Sequence, residues 1–282
     1  MTGIKENIMR IVFLLTACIS ILAVSLICFF MFANGIPAIR EIGVSEFLLG
    51  KIWRPNNNIY GIFPMIIGSI YVTAGAIIIG VPIGVICAVF MSYFCPKGLY
   101  KILKPMIDLL AGIPSIVYGF FGLVVIVPIM QLVYGGSGKS ILTASILLGI
   151  MILPTIISVS EASIRAVPKS YYEGALALGA THEKSVFSTV LPAAKSGVFA
   201  AVILGVGRAI GETMAVNMIA GNQTVMPRGI YDGVRTMTAN IVTEMGYATG
   251  LHRDALIATA VVLFVFILII NISFMLIKNK DD

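Results

Sequence analysis

Two charged residues interrupt an otherwise apolar stretch: Arg208 and Glu212, within residues 196–220. Four residues apart on a helix, they share one face and can pair. An arginine at the centre of a bilayer costs roughly 2.5–3.5 kcal/mol or more, so such charges are paired or face a cavity. A guanidinium also has a planar fork that donates two hydrogen bonds to two oxygens of one oxyanion. Two roles follow from the residues alone. The pair is either an ion clamp between helices or an anion site on a translocation path. In the second case Glu212 keeps the site from holding the anion too tightly, and it can accept a proton from a protonated oxyanion.

Little else offers chemistry. Gly138-Lys139-Ser140 has the end of a phosphate-binding loop, but Val133 stands where that motif needs its first glycine. We read it as a tight turn between spans. His182 and His252 are the two histidines, both in loops and both read as solvated. Cys18, Cys28, Cys87 and Cys95 lie in or beside apolar runs without metal-ligand spacing.

Composition dictates what positions Arg208 and Glu212. Of 282 residues, 59% are hydrophobic and 11% charged, against about 25% charged in a soluble domain. This excludes a disordered chain, a coiled coil, a nucleic-acid-binding module and a soluble enzyme, and leaves a polytopic membrane protein surrounded by lipid. Uncharged runs predict spans near 11–33, 66–92, 109–133, 141–160, 196–220 and 255–277. The fold class is therefore all-α, a six-span helix bundle forming one transmembrane domain over 1–282. Lys5 and Arg10 resemble the basic start of a signal peptide, but the apolar run is too long and the first span reads as retained. Six spans put both termini on one side. Segments 1–10, 93–108, 161–195 and 278–282 hold 11 basic residues against 7 in 34–65, 134–140 and 221–254, which places both termini in the cytoplasm. Pro82, Pro114, Pro128 and Pro154 fall inside spans and predict kinks. Gly80 with Gly84, and Gly207 with Gly211, have the spacing that lets helix backbones approach closely.

The inner loop 161–195 reads as a hairpin. Pro168 suits a helix start, residues 169–178 form a short helix, and Gly179 breaks it. A second short helix runs to Leu191, where Pro192 ends the pattern. Glu173-x-Ala175-x3-Gly179, followed by Phe187 and Leu191-Pro192, resembles the cytoplasmic "EAA" loop of bacterial ABC-importer permeases. Gly174 stands where that pattern usually has alanine, which softens the helix. The resemblance implies that this loop docks into a groove on an ATPase subunit.

A narrower resemblance joins it. Gly205-Val-Gly-Arg208-Ala-Ile-Gly211-Glu212-Thr213-Met-Ala-Val is similar to the fifth span of the C-type subunit of phosphate-importer permeases. Leu110-Ala-Gly-Ile-Pro114-Ser115-Ile-Val-Tyr118-Gly-Phe-Phe-Gly122 resembles the third span of the same family. The likeness runs from about residue 60 to the end. It implies a type I importer permease in a bacterial plasma (inner) membrane, with Arg208, Glu212 and Thr213 on the path for inorganic phosphate. It implies as partners a homologous A-type permease, two ATPase subunits that bind the ATP, and an extracytoplasmic phosphate-binding protein facing segments 34–65 and 221–254. The chain itself would be no enzyme and would need no cofactor. A permease for molybdate or sulfate is the nearest alternative. A secondary transporter would often show inverted repeats, and none is clear.

Overall fold

The computed structural model describes residues 2–280, and side chains for 6–276. The side chains of Lys5, Lys278 and Lys280, which enter the charge count above, lie outside the described ones.

Helix α1 (Thr2–Ile42) leads to a short α2 (Val44–Leu49) and a small hairpin of β1 (Trp53–Arg54) and β2 (Ile59–Tyr60). Helix α3 (Phe63–Val89) continues through a π-helical turn to Phe94. An amphipathic helix α4 (Lys97–Gly112) precedes α5 (Ser115–Phe121), a π-turn and α6 (Val127–Tyr134). Helix α7 (Ile141–Ala166) is followed by α8 (Lys169–Ala177), α9 (His182–Ser185), a π-turn and α10 (Leu191–Ala193). Helices α11 (Lys195–Gly211), α12 (Met214–Ile219), α13 (Met237–Glu244) and α14 (Leu251–Lys280) complete the chain.

Five stretches are long and apolar enough to cross a membrane: 6–42, 63–94, 115–134, 141–166 and 251–276. Two of the six predicted spans need correction. The third begins at Ser115, because Ile113-Pro114 is extended and residues 109–112 belong to α4. Proline disfavours the α conformation of the residue before it, so Pro114 ends a helix rather than kinking one. The predicted span 196–220 is broken. Its helix α11 ends at Gly211, Glu212 is extended (φ −67°, ψ 130°), and α12 then starts anew. A further bend of 70° separates residues 182–193 from α11.

Helix α7 is the core. Its Leu147, Leu148, Met151, Ile152 and Ile156 are almost wholly buried against α3, α11 and α12. On α3 the Gly80/Gly84 pair performs as predicted. A Cβ at Gly80 would sit 2.8 Å from Ile152, and one at Gly84 2.7 Å from Ile156. Gly207 and Gly211 face open space within 4 Å, and Gly205 takes the contact with Ile156 instead. The close approach on α11 is therefore two residues from where the spacing put it. The turn at 138–140 stands as read: Gly138 has φ +68° and the Ser140 hydroxyl caps α7 by accepting from the Thr143 amide.

The segments assigned to one side by charge do meet at one end of the bundle. The Trp53 indole donates to Glu244 at 2.9 Å, the Ile141 amide donates to the Asp232 carbonyl at 3.0 Å, and Tyr134 packs on Tyr231. At the opposite end Tyr100 donates to Glu161, Arg165 donates to the Met91 carbonyl, and Phe94 packs on His182.

Candidate functional site: an interrupted helix and a hairpin

Arg208 and Glu212 are not partners. Because α11 stops at Gly211, Glu212 has left the helical register that would place it beside Arg208. Its Oε1 accepts from the amides of Thr213 (3.0 Å) and Ala215 (3.3 Å), so it satisfies N–H groups that a helix start leaves orphaned. The Glu212 carbonyl accepts from the Thr238 hydroxyl at 3.1 Å, tying the break to α13. Thr213 is half-buried and donates its hydroxyl to the Gly211 carbonyl.

Arg208 is half-buried and donates from Nη1 to the Thr155 hydroxyl of α7 at 3.1 Å. Among the described residues no carboxylate is paired with Arg208. A guanidinium in an apolar bundle with a neutral hydroxyl for a neighbour keeps an unneutralised charge and spare donors. That arrangement suits an oxyanion.

A second polar cluster sits further along α7. Glu161 is only 2% exposed and accepts from the Tyr100 hydroxyl (2.7 Å) and from Arg165 Nε (2.9 Å). Lys104 Nζ lies 3.4 Å from its other oxygen, 3.3 Å from Asp108, and donates to the Ser158 hydroxyl at 3.3 Å. Burial alone would lower the Lys104 ammonium, but Asp108 and Glu161 outweigh it and hold it above the ordinary lysine value, so it is a cation at neutral pH. The bond to Glu161, aided by burial, raises the Tyr100 hydroxyl. Arg165 stacks over the Tyr100 ring at 4.7 Å and reaches the Met91 carbonyl. From sequence, Lys104 counted only towards orientation, with Lys97 and Lys101, and the cluster itself was not foreseen. The available signal was Glu161 and Arg165, four apart and directly after an uncharged run.

The hairpin follows. Gly179 has φ +84°, and the bonds Ala180 N to Ala175 O and Gly179 N to Leu176 O close α8 as a Schellman cap. The predicted break is therefore in place. The second arm differs from expectation, since it runs past Leu191 and Pro192 to Ala193 through a π-turn at Val186–Val190. Pro192 occupies the first turn of α10, where its missing N–H costs least. His182 is half-buried rather than free in solvent. It pairs with Tyr172 (2.6 Å) and packs against Phe94, which fixes the hairpin on the end of α3. Val186, Val190 and Ala194 are buried there, with Leu191 packed on them. Glu173 is exposed and lines a cavity of about 350 Å³ with Arg165, Tyr93 and Lys169. Gly174 is exposed with open space around it, and Ala175 is half-buried. Leu178 is 91% and Phe187 52% exposed. The hairpin thus presents apolar groups outward beside a fixed base.

At the other end His252 also has partners. It lies 2.8 Å from Glu244, which further accepts from Trp53 and Arg235. This cluster floors a cavity of about 670 Å³ lined by Arg54, the Asn56–Asn58 turn and Tyr247.

With this architecture in view, similarity assigns the class. The family described as "Binding-protein-dependent transport system inner membrane component" matches residues 80–280, and the chain belongs to it. It is a multi-pass permease of ABC importers. It is 41% identical over 271 residues to the probable ABC transporter permease protein YqgH of Bacillus subtilis, covering 92% of this chain and 88% of that one. It is 35% identical over 248 residues to the phosphate transport system permease protein PstC of Haemophilus influenzae, covering 81% and 78%. The fold is similar to a permease in the inward-facing MetNI methionine ABC transporter (TM-score 0.63, 18% identity, 82% of this chain and 100% of that one). A chain of a bacterial alginate ABC transporter is also similar (TM-score 0.60, 15% identity, 94% and 93%).

Proposed function

We propose that this chain is the C-type permease subunit of an ATP-driven importer of inorganic phosphate, with Arg208 contacting the anion in transit. The observation that carries the reading is the Arg208 guanidinium, which pairs with no carboxylate among the described residues, donates to Thr155 and lies just before the break between α11 and α12. The similarity to PstC proteins supports phosphate as the anion. In this reading Glu212 does not tune Arg208 by pairing; it shapes the break and holds Thr213 in place. An A-type permease completes the path, two ATPase subunits bind and hydrolyse ATP, and an external phosphate-binding protein delivers the substrate.

The hairpin transmits ATPase closure. Its exposed tip, with Leu178 and Phe187, docks on the ATPase, while Tyr172–His182 and the buried base pass the movement to α3 and α7. Gly179→Val tests this. Open space surrounds Gly179, so the substitution clashes with no neighbour. It strains a left-handed backbone position by about 1–2 kcal/mol, enough to unseat the Schellman cap. We expect the variant to insert in the membrane and to co-purify with markedly less ATPase subunit. Full assembly and transport would refute the docking role.

Orientation has a separate test. Both termini and the hairpin are cytoplasmic in this account. A reporter active only in the cytoplasm should work when fused after Lys104 or near Lys184 and should be silent near Lys139. The reverse pattern would overturn the orientation together with the coupling role. The function itself is tested by co-expression with ATPase and A-type subunits: phosphate uptake should require this chain, and ATPase subunit should co-purify with it.

A further inference from the structure

We propose that Lys104 and Ser158 form a second oxyanion station, one helical turn inward of Arg208 and Thr155, which takes the anion on its way to the inner end. The proposal rests on the anion-path reading of Arg208 and extends it along α7.

Thr155 receives Arg208 and Ser158 receives Lys104, each through a hydroxyl. Positions three apart on a helix are neighbours on one face, separated by about 4.5 Å of rise. Thr155 and Ser158 are half-buried, and Ala162 and Arg165 beyond them are exposed. These four continue one face over about 15 Å toward the hairpin. Three cations therefore follow one another along a helix that is otherwise the buried core: Arg208, Lys104 and Arg165.

The chemistry of the three differs. Arg165 is committed, with its Nε 2.9 Å from Glu161 and its Nη2 donating to a backbone carbonyl at 2.8 Å. Lys104 is not. Its three contacts, to Asp108, Glu161 and Ser158, are all 3.3–3.4 Å, longer than the usual N–H···O distance of about 2.9 Å. Its side chain keeps 28% exposure. An ammonium with rotatable donors and loose partners can turn to an incoming oxyanion without abandoning a well-formed bond. The groups facing it from its neighbours are Asp108, Glu161, Tyr100 and Arg165. The two carboxylates reclaim the ammonium once the anion leaves, so the station binds weakly and releases readily. Arg208, which pairs with no carboxylate among the described residues, is the tighter site, so passage to the weaker second station is driven by the ATP-coupled movement of the bundle.

The test is uptake of radiolabelled inorganic phosphate by cells carrying the full transporter, normalised to assembled complex. Lys104→Met should lower the maximal rate about tenfold while leaving the half-saturating concentration within about twofold. Lys104→Arg should keep at least a third of the rate. Asp108→Asn removes one of the carboxylates that reclaim the ammonium, so release should slow and the maximal rate should fall about threefold. A purely structural tie between α4 and α7 predicts instead that Asp108→Asn, a change within α4, leaves uptake unaltered, and that adding Glu161→Gln to Lys104→Met restores it. Either result, or an unchanged rate in Lys104→Met, overturns the second station. Arg208→Gln run in parallel separates the two readings. If it alone blocks uptake, the Lys104 station is wrong and the Arg208 site stands. If neither substitution changes uptake, both are wrong.

Discussion

Arg208→Gln is expected to abolish phosphate uptake while leaving the membrane complex assembled. The geometry gives the reason for both halves. Arg208 makes one side-chain hydrogen bond, to Thr155, and is paired with no carboxylate among the described residues, so removing it strands no buried charge. Gln is shorter and loses the charge and the paired donors that match two anion oxygens. Arg208→Lys should recover part of the rate, because a point charge attracts the anion without the bidentate fit. Adding Glu212→Gln should not restore uptake. Restoration would have been the sign of a helix clamp, but Glu212 spends its carboxylate on the Thr213 and Ala215 amides. Glu212→Gln alone should be mild, since an amide oxygen can still accept from those N–H groups. Complex yield and uptake, measured for both single variants and the double, check the set. Lost assembly in Arg208→Gln with recovery in the double would contradict it.

Glu161→Ala should destabilise the bundle markedly. The carboxylate is 2% exposed and joins α4 through Tyr100 and Lys104 to α7 through Arg165, which itself holds the end of α3 by the Met91 carbonyl. Breaking a buried pair from one side leaves its cations uncompensated, typically at 3–5 kcal/mol. Here Arg165 and Lys104 keep 45% and 28% side-chain exposure, and water offsets part of the loss, so about 3 kcal/mol is expected. The measurement is thermal unfolding of the purified complex in detergent. Glu161→Gln, which retains an acceptor for Tyr100, should fall about midway. A midpoint unchanged in Glu161→Ala would remove the cluster from the structural account.

Much of the architecture was legible because lipid imposes long uncharged runs, and these locate helices directly. The Gly80/Gly84 contact and the Gly179 break were legible for the same reason: each depends on a residue type that few others replace. What spacing could not show was where a helix stops. Nothing in Gly211-Glu212-Thr213 differs strongly from a continuing apolar helix, and an i,i+4 pairing was the natural reading. The interruption is set by tertiary bonds, Thr238 to the Glu212 carbonyl and the carboxylate to its own downstream amides. Likewise Lys104–Ser158 and Trp53–Glu244 join residues 54 and 191 positions apart, and local pattern carries no trace of such pairs. His182 and His252 looked solvated in loops because their partners, Tyr172 and Glu244, are brought to them only by the folded hairpin and by the packing of α13 on α14.

The most direct test of the account is transport by the purified complex in sealed proteoliposomes, with the phosphate-binding protein and ATP supplied on their proper sides. The account predicts ATP-dependent accumulation of radiolabelled phosphate that excess sulfate does not reduce and that Arg208→Gln eliminates while the complex remains intact. Accumulation without ATP, equal competition by sulfate, or full transport by the Arg208→Gln complex would contradict it.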